Sequence, residues 1–258
     1  MKIQLLPSTF DAAGRATPEQ RLTCYLIDDR VAVDAGSIAL ALDDRQRGAV
    51  RDVIVTHPHM DHIATLPIFI DDLFGELREP VRVHATEEVI GLLQRDVFNW
   101  TIYPRFSELE NGHCRVMEYA PFRAGEPFGV AHLTVTAHTV NHIVPTVGLI
   151  ATDGDASVAF SSDTASTEQF WEALNSTPRL DALFLEASFP DALAELARVS
   201  GHLTPGGLAA ELSKLSHDAA EVLAVHIKPT YREQIVAELH ALGIPRLSVM
   251  EPGREYEW

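Results

Sequence analysis

Short apolar runs bounded by turn residues recur through the first part of the chain: Ile3 to Leu6, Thr23 to Ile27, Val31 to Val33 and Val53 to Thr56. Runs of this length predict strands of one sheet. Between Asp61 and Gly75 the apolar residues fall in clusters that fit a helix better than alternation. Thr86 to Asn99 opens on Thr and two Glu and continues with helical spacing. A second block begins near Ala131, where LTVTAH, TVGLIAT and SVAFSS predict three strands, with Asp153-Gly154-Asp155 as the turn between the last two. An amphipathic segment from Thr167 to Asn175 follows, then a strand from Ala182 to Glu186, two helical stretches, a strand from Val222 to His226 and a helix from Pro229 to Leu242. Asn99 to Gly129, rich in Pro and aromatic residues, is the least regular stretch, of the kind that shapes a pocket or a subunit contact. Strands and helices mix in both halves, no Ser- or Gly-rich linker separates them, and no short-period repeat is visible. The pattern therefore predicts an α/β chain folded as one domain over residues 1–258.

Composition changes this picture mainly through charge. A chain of 258 residues with 46% hydrophobic content buries a sizeable core. Its 20 Lys and Arg against 37 Asp and Glu leave a formal charge of -17, which repels polyanions unless basic residues are gathered locally. No basic run is present, so a long nucleic acid is a disfavoured partner. Cys24 and Cys114 lie far apart and outside any CxxC spacing, and two reduced, largely buried thiols are expected. The opening MKIQLLPSTFDAAGR has no signal-peptide core, and no run approaches the roughly 18 apolar residues of a membrane span. The expectation is a cytoplasmic protein with no membrane partner. A homodimer is expected only from the general commonness of twofold assemblies.

The candidate chemistry is concentrated where the strand RDVIVT runs into His57-Pro58-His59-Met60-Asp61-His62. Three imidazoles and a carboxylate share one short turn, and these are donors that divalent zinc, iron or manganese accepts. One metal rarely needs all four, so a two-metal centre is predicted, with further ligands from elsewhere and a position left open for water. Strand ends supply His142, Asp163 and His226 as candidates. Each also has a plain structural reading: a His at a strand end is more often a satisfied polar residue, and Asp163 or Thr164 could be a helix N-cap. His202 stands before the helix start Thr204-Pro205, with Glu186 ending a strand upstream. A carboxylate on one ring nitrogen would fix the tautomer and leave the other nitrogen to deliver a proton. The alternative is a capping His and a solvated Glu, and the residues alone do not decide. Phe98, Trp100, Tyr103 and Phe106 would either stack on a base or fill a core or interface, and Lys228 would either grip phosphate or simply solvate the surface.

Taken in order, the HxHxDH turn, His142 six residues before Gly148, Asp163 after a strand and His226 after a strand resemble the motifs of the metallo-β-lactamase superfamily. The resemblance spans nearly the whole chain. It implies a four-layer αβ/βα sandwich with the site at one edge of two sheets, and Asp34 in VDAGS matches the superfamily's supporting aspartate. It implies that His57, His59 and His142 bind one metal, that Asp61, His62 and His226 bind the other, and that Asp163 bridges them. His138 competes with His142 and ranks as a supporting or structural residue. Zinc is the expected metal, with manganese or iron as alternatives. Two such cations share a hydroxide as nucleophile. The segment LEASFPDALAELARVSGHLTPGG, with Glu186 and then GHLT, is similar to the phosphodiesterase branch, which includes ribonuclease Z and the class II cyclic nucleotide phosphodiesterases. Simple β-lactamases, glyoxalases and lactonases lack that segment. GHLTP, VHIKP and FNWTIYPRF resemble the class II enzymes more than ribonuclease Z. The departures are an amino terminus without the Gly-rich turn of many relatives and Met60 in place of a common Leu. The resemblance implies hydrolysis of 3',5'-cyclic AMP or GMP to the nucleoside 5'-phosphate, with His202 as general acid paired to Glu186. A ribonuclease Z-like enzyme, an ester or lactone hydrolase and a non-catalytic binding protein are the alternatives, in that order.

Overall fold

In the computed structural model, which describes residues 1–258, the strands form two seven-stranded mixed sheets. The first contains β1 (Lys2–Leu5), β2 (Tyr25–Ile27), β3 (Val31–Val33), β4 (Asp52–Ile54), β5 (Val81–Thr86), β6 (Met117–Phe122) and the last strand, β14 (Glu255–Glu257). Their spatial order is β14-β1-β2-β3-β4-β5-β6. The second contains β7 (Pro127–Val130), β8 (Leu133–Thr139), β9 (Val147–Thr152), β10 (Ser157–Phe160), β11 (Ala182–Glu186), β12 (Glu221–Val225) and β13 (Leu247–Val249), in the order β13-β12-β11-β10-β9-β8-β7. Helices α1 (Ile38–Ala41), α2 (Asp44–Ala49), α3 (Met60–Ile63), α4 (Leu66–Leu73) and α5 (Glu87–Asp96) belong to the first half. Helices α6 (Gln169–Ser176), α7 (Ala194–Ser200), α8 (Pro205–Leu212) and α9 (Arg232–Ala241) belong to the second.

Alternation along the central strands sorts the buried residues into three clusters, and these define the layers. Around β4, Val53 and Val55 pack with Leu66, Phe69 and Ile70 of α4 and Leu93 of α5, whereas Ile54 packs toward the other sheet. In β11, Leu183 and Leu185 meet Phe170 and Trp171 of α6, whereas Ala182 and Phe184 enter the seam between the sheets. Strands buried on both faces read as continuous apolar runs rather than as polar-apolar alternation. One cluster between two sheets and one between each sheet and its helices give the expected αβ/βα four-layer order.

Strands β3 to β6 are mutually parallel, and so are β10 to β13. Parallel neighbours deliver their carboxyl ends to one edge, where ligands bind in such folds. Asp34, His57, Asp163, Glu186 and His226 stand at or just beyond the ends of β3, β4, β10, β11 and β12.

Several local expectations are corrected. Asn99 to Gly129 is not irregular throughout, since it contains β6 and the start of β7. Pro121 hid β6, but an edge strand tolerates proline because its outer side needs no ladder donor. Strand β5 was not anticipated. It ends at Thr86, whose side chain accepts from Val89 N as the N-cap of α5. Phe98 and Phe106 are each 1% exposed and pack with ring centroids 5.9 Å apart, so they fill the core and offer no face to a base, while Trp100 is exposed. Cys24 is buried, Cys114 is half-buried, and they are not bonded to each other. No helix is long and apolar enough to cross a membrane.

One glycine ties the first sheet to the histidine turn. Gly36 N donates to Thr23 O at 2.9 Å, and Thr23 N donates to Asp61 O at 2.7 Å. A Cβ at Gly36 would lie 2.0 Å from Asp61 O and under 3 Å from the Thr23 backbone. Because these obstacles are backbone atoms, G36A must push the chain segments apart. The expected cost is at or above the upper end of the ~1–3 kcal/mol typical of overpacking. A clearly lowered urea midpoint or melting temperature is the predicted outcome, and an unchanged midpoint would contradict this packing.

Candidate metal centre

Strand β4 leaves the sheet through Thr56 and reaches His59, the N-cap of α3, which is extended at φ -62 and ψ 145. His57 and His59, two residues apart, bring their side chains together. Asp61 and His62 lie on the short helix that follows. The second half contributes His142 beyond β8, Asp163 beyond β10 and His226 beyond β12. All seven side chains expected from the sequence converge, in two groups that share Asp163. One group is His57, His59, His142 and Asp163; the other is Asp61, His62, His226 and Asp163. His138 does not join them. It remains on β8, opposite Gly148 of β9, half-buried.

The carboxylate of Asp163 faces both groups. Its Oδ2 is 3.5 Å from His57 Nε2 and 3.9 Å from His142 Nε2, while Oδ1 is 3.3 Å from His62 Nε2 and 3.5 Å from His226 Nε2. Those separations exceed the ~2.7–2.9 Å of a charge-assisted hydrogen bond. Three of them match instead the roughly 3.3–3.5 Å edges of a tetrahedron of donors about 2.0–2.1 Å from a common centre, and the His142 separation is longer. His57 Nε2 is fully buried and has no hydrogen-bond partner. An orphaned lone pair there costs free energy unless a Lewis acid uses it. The donor set therefore fits two divalent cations.

Outer partners fix the rings. Asp34 Oδ2 is 2.7 Å from His62 Nδ1, and Asp34 also accepts from the Thr56 backbone N and hydroxyl. Thr56 Oγ1 lies 3.1 Å from His57 Nδ1, and the Gly201 carbonyl accepts from His142 Nδ1 at 2.8 Å. Held this way, His57, His62 and His142 all turn Nε2 toward Asp163. His59 presents Nδ1, 3.2 Å from His142 Nε2. Asp34, Ser162 and His226 have positive φ of 60°, 53° and 55°. Such strain clusters where surrounding structure holds a functional geometry.

Electrostatics divide the two groups. Burial, reinforced by the charge of His62, pushes the His57 imidazole down to about 4, and burial also lowers His59 and His142. Burial thus favours the neutral form of all three rings, the form in which an imidazole nitrogen can hold a cation. At His62 burial opposes the proton, but Asp163 and Asp34 outweigh it and raise the ring well above its ordinary value. Burial likewise opposes charge on Asp163, and His226 and His62 override it and hold the carboxyl well below the usual range.

Beside this cluster stands a second constellation. Glu186 is 0% exposed, so it is not a solvated carboxylate, and its Oε1 is 2.8 Å from His202 Nδ1. The cap of α8 is Thr204, whose hydroxyl accepts from Gly207 N, so His202 is free of that duty. Its ring centroid is 5.0 Å from that of His142 and 5.5 Å from that of His226. Burial lowers the affinity of His202 for a proton, yet Glu186 more than compensates and the ring titrates above its ordinary value. A cavity of about 260 Å³ opens against Asp61 and His226, and its wall includes Gln20, Arg21, Lys228 and Thr230. Lys228 Nζ lies 5.3 Å from the Phe189 ring centroid, within cation–π range.

Sequence reasoning missed Thr56, Ser162, Ser188 and Gly201. Of these only Gly201 carried a signal, because it belongs to the GHLT segment. It has φ 73, and a Cβ there would sit 2.8 Å from His142 Nδ1.

The model of the family described as "Beta-lactamase superfamily domain" matches residues 30–227. A curated relative from Yersinia pestis, named "Probable 3',5'-cyclic-nucleotide phosphodiesterase", is 24% identical over 211 residues, covering 72% of this chain; the chain spans only 60% of that relative's length. Among solved structures, yeast PDE1 superposes with a TM-score of 0.77 at 18% identity, over 98% of both chains. The metallo-β-lactamase fold protein YhfI of Bacillus subtilis gives 0.76 at 18% identity, over 99% of both. Human short-form tRNase Z gives 0.67 at 14%, over 100% of this chain and 99% of its own. The family match runs from the turn before β3 to the residue after His226 and encloses every side chain of the cluster, so this chain belongs to the β-lactamase superfamily and has the metallo-β-lactamase fold.

Proposed function

We propose that this chain is a dinuclear metal-dependent phosphodiesterase that hydrolyses 3',5'-cyclic nucleotides to nucleoside 5'-phosphates. The observation that carries the reading is the buried Glu186–His202 pair set against the histidine and aspartate cluster. A cluster alone would serve an ester as well as a phosphodiester. A held proton donor beside it suits a leaving group that departs as an alkoxide, which leaves poorly near neutral pH. The name of the Yersinia pestis relative supports the cyclic nucleotide as substrate.

In this reading His57, His59 and His142 hold one cation, Asp61, His62 and His226 hold the other, and Asp163 serves both. When bound, such a pair of cations activates water as a nucleophile and neutralises charge on the phosphoryl oxygens. The protein's own groups do the rest. Asp34, Thr56 and Gly201 hold ligand rings in the tautomers that present Nε2. Glu186 takes Nδ1–H of His202 and stabilises its protonated form, which leaves Nε2–H to protonate the departing 3' oxygen. The cavity beside Asp61 offers space for the rest of a small substrate, with Gln20, Arg21, Lys228 and Thr230 as donors to its polar groups. A formal charge of -17 argues against a long RNA in the same site.

Three results test the proposal. With zinc or manganese added, cyclic AMP or cyclic GMP should be consumed in a panel that also contains 2',3'-cyclic nucleotides, bis(p-nitrophenyl) phosphate and a tRNA precursor. If every phosphodiester survives, ester hydrolysis becomes the better reading. Chelation should abolish turnover, and elemental analysis of the reloaded protein should give two equivalents of metal per chain; a clear deficit would remove the dinuclear centre. H202A should lower kcat on a cyclic nucleotide by about 10²–10⁴-fold. It should barely affect bis(p-nitrophenyl) phosphate, whose leaving group needs no proton. Equal losses on both substrates would show that His202 is not the acid.

A further inference from the structure

Ser188 lies two residues beyond Glu186 and is 0% exposed. Its Oγ donates to Glu186 Oε2 at 2.7 Å. The same Oγ also lies 3.1 Å from the His226 carbonyl oxygen and 3.3 Å from His202 Nδ1, but a hydroxyl has a single proton and a carboxylate only accepts, so the proton goes to the shortest, charge-assisted contact, the one to Glu186. The contact of 2.8 Å between Ser188 Oγ and His226 Nδ1 must then run the other way, with the ring N–H donating to the hydroxyl. His226 Nδ1 is thereby fixed as a protonated nitrogen, which leaves Nε2 as the one that faces the cluster, at 3.1 Å from Asp61 Oδ2, 3.4 Å from His62 Nε2 and 3.5 Å from Asp163 Oδ1.

The other oxygen of the same carboxylate sets the other ring, since Glu186 Oε1 takes Nδ1–H of His202. Backbone donors lock the carboxylate itself: Thr164 N, next to Asp163, reaches Oε1 at 2.8 Å, and Leu203 N, next to His202, reaches Oε2 at 3.2 Å. The rings of His202 and His226 lie nearly parallel, 15° apart. One buried carboxylate thus orients both imidazoles, the first directly and the second through a serine hydroxyl.

We infer that Ser188 is a positioning residue that relays the charge of Glu186 to His226 and so tunes cation affinity at the group formed by Asp61, His62 and His226, without acting on the group formed by His57, His59 and His142. The inference rests on the ligand assignment proposed above. Removing the hydroxyl leaves a buried ring N–H without an acceptor and frees the ring to turn. Loss of an outer hydrogen-bond partner of a metal-binding histidine typically weakens affinity about 10–100-fold. S188A should therefore bind one equivalent of zinc or cobalt as tightly as the unaltered protein and the second about 10–100-fold more weakly, read by competition with a chromophoric chelator. S188T, which keeps the hydroxyl, should restore the second equivalent.

Nitrogen-15 spectra of the histidine rings in metal-free protein supply a readout that needs neither turnover nor loaded enzyme. His226 should carry a proton on Nδ1 in the unaltered protein, whether or not Nε2 is also protonated toward Asp61, and should lose that preference in S188A, with His202 unchanged; E186Q should disturb both rings. Two tight equivalents together with an unaltered His226 tautomer in S188A would overturn the inference. An Nε2–H tautomer of His226 in the unaltered protein would overturn it without any variant, so the test survives even if S188A folds poorly. These readouts are independent of substrate: if no phosphodiester is cleaved but S188A loses its second tight equivalent, the relay stands while the function proposed above fails.

Discussion

The arrangement depends on one buried carboxylate. Asp163 is 2% exposed and lies among four imidazole nitrogens, two on each oxygen. An ionised carboxylate without compensation is among the most expensive groups to bury. Here the compensation comes from both sheets. His57 and His62 follow β4 of the first sheet, and His226 follows β12 of the second. The seam that packs Tyr25 and Ile54 against Phe160, Phe184 and Val225 must close before these donors can meet. Gly36, pressed against Asp61 and Thr23, shows how little slack the first half leaves beneath the histidine turn.

A second carboxylate organises the neighbouring chemistry in the same way. Glu186 is the last residue of β11, between β10, which leads to Asp163, and β12, which leads to His226. Strand order alone therefore puts Asp163 and His226 on either side of Glu186, and the turn between α7 and α8 brings His202 to the same carboxylate. The parallel run makes this automatic: adjacent strands end level with one another, and each contributes the residue at its end. The left-handed backbone at Asp34, Ser162 and His226 is the local strain that turns the side chains inward at that edge.

Much of this was legible in the sequence because it is written in contiguous residues. HPHMDH is one turn after one strand, and β4, β11 and β12 are apolar runs buried on both faces. The central elements appeared for the same reason. What escaped was short, interrupted by polar residues or proline as in β5 and β6, or non-local. Strands β13 and β14 have only three residues each, and β6 carries a proline that only its edge position tolerates. Phe98 and Phe106 could not be assigned to core or surface from spacing, since that depends on what α5 packs against. Ser188, Thr56 and Ser162 are ordinary serines and threonines in sequence. Their importance arises only when folding brings a ring nitrogen within reach.

The charge of -17 looks hostile to any phosphate-bearing substrate, yet the site and the surface act over different distances. At physiological ionic strength, exposed charges are screened beyond roughly 8 Å. Within the cluster the balance differs, because two divalent cations would outweigh the carboxylates of Asp61 and Asp163 and leave a positive centre in a partly desolvated pocket. Arg21 and Lys228, on the wall beside Asp61 and His226, carry the same sign. A small anion that fits a cavity of about 260 Å³ meets this local field and little else. A long polyanion would also have to lie along the acidic exterior, where the proposed function expects too few cationic contacts to offset the repulsion. Under the proposed function, the same distribution of charge would select by size, admitting a compact phosphodiester to the centre and disfavouring a polymer of the same chemistry.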